Sequence, residues 1–218
     1  MQTIADMVLR EESAADIGTD HGYIPAYLVS EGICPQVILT DINEAPLKRA
    51  ERYFEESGLK GDFRLGPGLE VIKDSEISTV IIAGMGGETI IRILEEDLKK
   101  SQSFKRLILQ PRTFTGKLRV WLSENSFKFV DYALCREKKL ICEVMAVEKG
   151  DNGQSENELV SSFLLKKGDP LLEEYLKAKL KSILNILKEL KKSNKDNREM
   201  ELHLEKDALY IRSLLENQ

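Results

Sequence analysis

The chain has 218 residues, 42% of them apolar, and a formal net charge of −5 at pH 7; this is enough for one substantial α/β domain with a smaller appendage, and too acidic for a protein coated in positive charge. Three cysteines without a C-x-x-C spacing and only two histidines exclude a disulfide scaffold, argue against structural zinc, and fit reduced thiols in a cytoplasm. The opening MQTIADMVLREE carries acids and no long apolar core, so neither a signal peptide nor a transmembrane span is expected.

Short apolar runs at 14–17, 37–40, 63–65, 80–83 and 107–109 predict strands. Between them, 44–57 (Ala45, Leu47, Ala50 and Phe54, with Gly58 after) and 88–100 (Ile90, Ile91, Ile93, Leu94 and Leu98) show helical spacing with a glycine stop or a basic end. This alternation predicts a parallel, doubly wound sheet, whose ligands bind at the carboxyl ends of the strands. The segments IGTDHG, TDIN, LGPGL and AGMGG each follow a strand, so four loops are expected to converge on one edge.

The first loop says most about the ligand. ADIGTDHGY, 15–23, sets Asp16, Gly18, Asp20 and Gly22 close together, and Asp41 closes the second strand at the spacing where nucleotide-binding sheets place a carboxylate on ribose. Neither the G-x-G-x-x-G of dinucleotide sites nor a P-loop is present, and two acids repel a phosphate. S-adenosylmethionine carries an α-ammonium and a sulfonium and asks for such acceptors, so the loop reads as a methyl-donor site. An ordinary strand-to-helix turn uses the same glycine and aspartate chemistry, and Asp41 is what separates the two readings.

Farther along, Phe129, Tyr132 and Leu134, then Leu140, Ile141, Val144, Met145 and Val147, flank a charged turn at 136–139. They predict a β-hairpin rather than another strand–helix–strand unit. A seven-stranded sheet ending in an antiparallel hairpin is the class I, Rossmann-like methyltransferase arrangement, whereas a dinucleotide fold ends in a parallel strand. The polar stretch KGDNGQSENE, 149–158, reads as a linker, dividing a methyltransferase domain, 1–153, from a helical part, 154–218.

In that second part, Leu172, Leu176, Leu180, Ile183, Leu187 and Leu190 recur at intervals of three and four, and Met200, Leu204, Ala208, Ile211 and Leu215 repeat the pattern after SNKDN. Two amphipathic helices in an antiparallel, coiled-coil-like hairpin are expected. The stripe could pair between chains as a dimer, but the short polar break favours folding back within a monomer. Between 166 and 195, nine lysines (166, 167, 177, 179, 181, 188, 191, 192, 195) face four acids, a candidate handle for phosphates; helix propensity and solubility also favour lysine there.

ADIGTDHGYIPAYLV, VILTDIN, RLGPGLEVI, VIIAGMGGETI and LILQP, spread over 4–147 and followed by the helical tail, closely resemble the bacterial tRNA (adenine(22)-N1)-methyltransferase family. The resemblance implies S-adenosylmethionine as donor, S-adenosyl-L-homocysteine as product, and tRNA as partner. It implies N1 of an adenine in the D-loop region, adenine 22, as acceptor, without metal or membrane. It sets the donor's methionine portion against Asp16, Gly18, Asp20, His21 and Gly22, its ribose on Asp41, its adenine near Ile42 and Gly66-Pro67-Gly68-Leu69, and its sulfonium near Ala83, Gly84 and Met85. Pro67 departs from the aspartate often found there in the family, which leaves neighbouring backbone groups to replace that side chain's hydrogen bond to the adenine.

The fourth loop bears on chemistry without the family. Enzymes that methylate exocyclic amines commonly use an Asn/Asp-Pro-Pro-aromatic segment to accept the amine protons, while Ala83-Gly84-Met85-Gly86-Gly87 offers no side-chain acceptor. A neutral ring nitrogen such as adenine N1 needs none, so catalysis is expected to rest on positioning and the exclusion of water. N1 lies on the Watson–Crick edge, so the base must leave its stack. Tyr23 and Met85 are candidates to receive it, Asp20 or His21 to orient it, and Gln110 with Pro111 to border the pocket. Tyr23 capping the core, His21 bracing the loop and Gln110 satisfying a strand end are the structural alternatives. Arg10, Arg112, Lys117, Arg119 and the lysine-rich hairpin are expected to form one positive surface around the pocket mouth. A methyltransferase of this fold acting on a small molecule or protein stays open, as does a non-catalytic nucleotide-sensing or RNA-binding module; scattered basic residues would favour the former, and a complete set of loops argues against the latter.

Overall fold

The computed structural model describes residues 1–151, 153, 156–192 and 197–216; Lys195 and most of the polar break before the last helix lie outside them. The chain forms two compact units, Met1–Phe163 and Leu164–Gln218. The first runs α1 (Gln2–Ala5), β1 (Ala14–Ile17), α2 (Tyr23–Ser30), β2 (Val37–Asp41), α3 (Glu44–Glu56), β3 (Asp62–Leu65), β4 (Thr79–Met85), α4 (Gly87–Glu96), α5 (Leu98–Ser101), β5 (Arg106–Pro111), α6 (Thr115–Glu124), β6 (Phe127–Glu137) and β7 (Leu140–Lys149). Then come α7 (Ser162–Lys167), α8 (Leu172–Leu190) and α9 (Arg198–Glu216).

The seven strands lie in the order β3-β2-β1-β4-β5-β7-β6. Pairing is parallel from β3 to β5 and antiparallel where β7 joins β5 and β6 joins β7. Strands buried on both faces read as continuous apolar runs, which is why Ala14–Ile17 and Val37–Asp41 were legible; every residue of β1 is buried. Helix α3 turns Leu47, Ala50 and Phe54 into the core, and α4 turns Ile90, Ile91 and Leu94. The single helix expected over 88–100 is interrupted at Asp97, whose φ of −140° leaves the helical region. The Asp97 carboxylate then accepts from Lys100 N at 3.0 Å and starts a second short helix.

The described residues of 149–158, expected as a linker or exposed loop, are mostly exposed, but the end of the stretch and the residues after it are held to the first unit. Glu156, Val160 and Ser161 are buried, so this unit extends to Phe163 rather than ending at 153. Arg119, fully buried in α6, donates to Glu143 at 2.5 Å, to the Tyr132 hydroxyl at 2.9 Å, and to the carbonyls of Asn157 and Glu158. In the second unit, Ile183 and Leu187 of α8 and Ala208 and Ile211 of α9 are buried in the seam, whereas Met200, expected on the stripe, is exposed.

Candidate functional site

Parallel β1 to β5 deliver four loops to one edge of the sheet. At the end of β1, Gly18 N and Thr19 N both donate to Thr40 O at 2.8 Å, pinning the first loop to β2. Asp16 beneath it is 8% exposed. Burial pushes its carboxyl up to about 6, offset in part by the Thr19 hydroxyl, and among the described residues no basic side chain pairs with it. A buried acid without a cation favours a ligand that brings one. Gly18 holds φ +75°, and a Cβ there would lie 1.9 Å from Met85 Cε, so the Met85 side chain reaches across this loop from β4.

Asp41 ties the next two loops together. Its Oδ1 accepts from Asn43 N at 2.7 Å, and its carbonyl accepts from Gly66 N at 2.9 Å. Ile42 and Leu65 stand exposed beside it as apolar surface, and Pro67 is exposed, while Leu69 is buried in the core. In β4 the register shifts at Gly84: Ala83 faces Gln110 and Met85 faces Pro111. Such a bulge re-aims the residues after it. Gly84 N donates to Gln110 Oε1 at 2.9 Å, and Gln110 Nε2, on a residue only 5% exposed, has no hydrogen-bond partner among the described residues.

The remaining expected residues group on the outer side of the first loop. Asp20 is exposed and pairs with Arg49 of α3, which holds its carboxyl below the usual range. Asp16 is therefore the buried acid of the loop. His21 Nε2 lies 3.3 Å from Asp20, and the His21 ring stacks on Tyr23 at 5.2 Å. Tyr53 meets Tyr23 edge to face at 5.0 Å. Gly22 is the left-handed residue that starts α2 just before Tyr23. Sequence reading missed Arg49 and Tyr53; their spacing of four on one side of α3 was the available signal.

In the first unit, most of the basic residues expected at the pocket mouth are buried or paired. Arg119 is buried, Arg112 pairs with Glu137, and Lys117 pairs with Glu88; Arg10 is exposed. In the hairpin, Lys177, Lys191 and Lys192 pair with Glu173, Glu205 and Glu189, while Lys166, Lys181 and Lys188 are exposed and carry no ion pair among the described residues. Among the described residues no group of three or more His, Cys, Asp or Glu forms a metal site, and no helix is long and apolar enough to cross a membrane.

Comparison with known proteins locates this arrangement. The family model for tRNA (adenine(22)-N(1))-methyltransferase matches residues 14–209. The tRNA (adenine(22)-N(1))-methyltransferase of Bacillus subtilis is 38% identical over 153 residues, which span 69% of this chain and 64% of that protein's length. Streptococcus pneumoniae Sp1610 in complex with S-adenosyl-L-methionine superposes with a TM-score of 0.86 at 30% identity, covering 98% of this chain and 97% of that one. M. capricolum TrmK in complex with S-adenosyl-homocysteine superposes with a TM-score of 0.80 at 26% identity, covering 99% and 96%.

Proposed function

The chain belongs to the tRNA (adenine(22)-N(1))-methyltransferase family, and from that premise we propose that it transfers a methyl group from S-adenosylmethionine to N1 of adenine 22 in tRNA. The observation that carries this reading is Asp16, a carboxylate buried in the first loop and raised to about 6 with no cation of its own. The α-ammonium of the donor turns that charge into half of an ion pair. The free oxygen of Asp41 accepts from the ribose, and Ile42 and Leu65 cover the adenine. The glycines of these loops make room for the protein's own side chains, Gly18 for Met85 and Gly66 for Val71, and Ala83, Gly84 and Met85 border the sulfonium. When bound, the donor supplies a methyl group activated by its positive sulfur.

The chain's own residues contribute placement. No side chain in 83–87 accepts protons from an exocyclic amine, which suits a ring nitrogen whose lone pair is already free at pH 7. Gln110 Nε2, buried and unpartnered, offers one hydrogen bond to the incoming base. Tyr23, held by His21 and Tyr53, presents an aromatic surface to the RNA. Since Arg112, Lys117 and Arg119 are taken up by acids, phosphate contact falls to the exposed lysines of the hairpin, Lys166, Lys181 and Lys188. Ile183, Leu187, Ala208 and Ile211 of that hairpin are buried within one chain, which fits a monomer, while Leu184, Leu202 and Leu209 stay exposed on the same helices; the protein's place is where tRNA is found, in the cytoplasm.

Incubation with unmodified tRNA and donor, followed by mass spectrometry of the nucleosides, tests the reading. N1-methyladenosine is expected, and it is lost when position 22 of the tRNA is changed to guanine. A protein that leaves tRNA unmethylated, or methylates the exocyclic amine, contradicts it.

A further inference from the structure

Phe114 sits between β5 and α6 with φ 52° and ψ 34°, and it is 58% exposed. A left-handed backbone is a genuine outlier for a bulky residue, and a phenyl left in water gains nothing from folding. The other non-glycine residues with positive φ, Glu11, Ser75, Ser126 and Lys138, are polar or charged. Among the described residues, Phe114 alone joins this backbone to an apolar ring.

Its neighbours place it at the transfer edge. Arg112 N donates to Met85 O and Gly87 N to Thr113 O, both at 2.7 Å, so the loop after β5 is laced to the fourth donor loop on either side of Gly86. The approach is so close that a Cβ on Gly87 would lie 2.6 Å from Phe114 O. The end of β5 also carries Gln110 Nε2, buried and without a partner. An exposed aromatic ring and a lone buried donor at one strand end are what an unstacked purine asks for, a face to stack on and a polar group to read its edge.

We propose that Phe114 is the stacking face for the adenine being methylated, a proposal that rests on the tRNA-adenine reading above. The strained turn, whose backbone touches the fourth donor loop, leaves the ring exposed instead of in the core. Stacking of a base on an aromatic side chain accounts for roughly a tenfold to hundredfold effect when the ring is removed.

Two variants test it: Phe114→Gly, which relieves the backbone and removes the ring, and Phe114→Trp, which keeps a ring. The glycine variant should melt no lower than the wild type and bind S-adenosylmethionine equally well by calorimetry, yet lose roughly tenfold to hundredfold in kcat/KM on tRNA. The tryptophan variant should stay within about threefold of the wild type. Native kcat/KM in Phe114→Gly overturns the proposal, as does a loss that Phe114→Trp shares or that follows the melting temperature. A wild-type protein that makes no N1-methyladenosine in tRNA overturns the broader reading, and the proposal with it.

Discussion

Asp16 couples stability and ligand binding with opposite signs. Its carboxyl is raised from 3.8 to about 6, so between those values the folded state holds more protons than the unfolded chain, and stability falls as pH rises through this window. Above pH 6 the full cost, roughly 3 kcal/mol, is present. Asp16→Asn should therefore raise the thermal midpoint at pH 7, with the gain fading below about pH 4, while weakening S-adenosylmethionine binding. A variant that melts lower, or binds the donor as tightly as the wild type, contradicts this. Wild-type donor affinity should fall as pH drops below about 6, because the ammonium needs the ionised acid. Asp41→Ala should lose roughly 1.5 to 3 kcal/mol, about tenfold or more in donor affinity by calorimetry, through the ribose contact. The roles of Asp16, Gly18 and Asp41 toward the donor are proposals, but their places at the strand ends were legible because spacing along one strand–loop–strand path sets them. The pairing of Asp20 with Arg49 and the left-handed Phe114 were not, because both are set by elements distant in sequence.

Among the elements, the strands and the hairpin helices stood out through their apolar periods. The break at Asp97 did not, since the apolar spacing continues through it and only the backbone changes. The clamped end of the stretch after β7 escaped for a different reason: its polar composition describes a linker, while its fate is decided by Arg119 of α6, which was expected on a positive surface instead. Removing that side chain in Arg119→Ala takes the guanidinium from the buried Glu143, which keeps the Tyr132 hydroxyl, and takes the donor from two carbonyls. The expected cost is about 3 to 5 kcal/mol, a fall of roughly 10 °C in melting temperature for a chain of this size. A change of less than about 1 kcal/mol would mean that this network adds little. In α7 and α8, replacing Lys166, Lys181 and Lys188 with Gln should flatten the salt dependence of tRNA affinity by somewhat under one unit of slope per contact. An unchanged slope would remove these lysines from the phosphate contacts.

At the scale of the whole molecule, the proposed division of labour gives the donor to the first unit and tRNA to the helical one. A chain ending at Phe163 keeps Tyr132, Glu143, Asn157 and Glu158 around Arg119 and should bind S-adenosylmethionine while losing most tRNA affinity; undiminished methylation of tRNA by that chain would assign the hairpin another role. A neutral ring nitrogen of tRNA is proposed to attack the donor without a base from the protein, and single-turnover transfer to tRNA at saturating donor, followed from about pH 6.5 to 8.5, tests this. A nearly flat rate and N1-methyladenosine as product are expected. A rate that climbs about tenfold per pH unit, or a methyl group on the exocyclic amine, would contradict it.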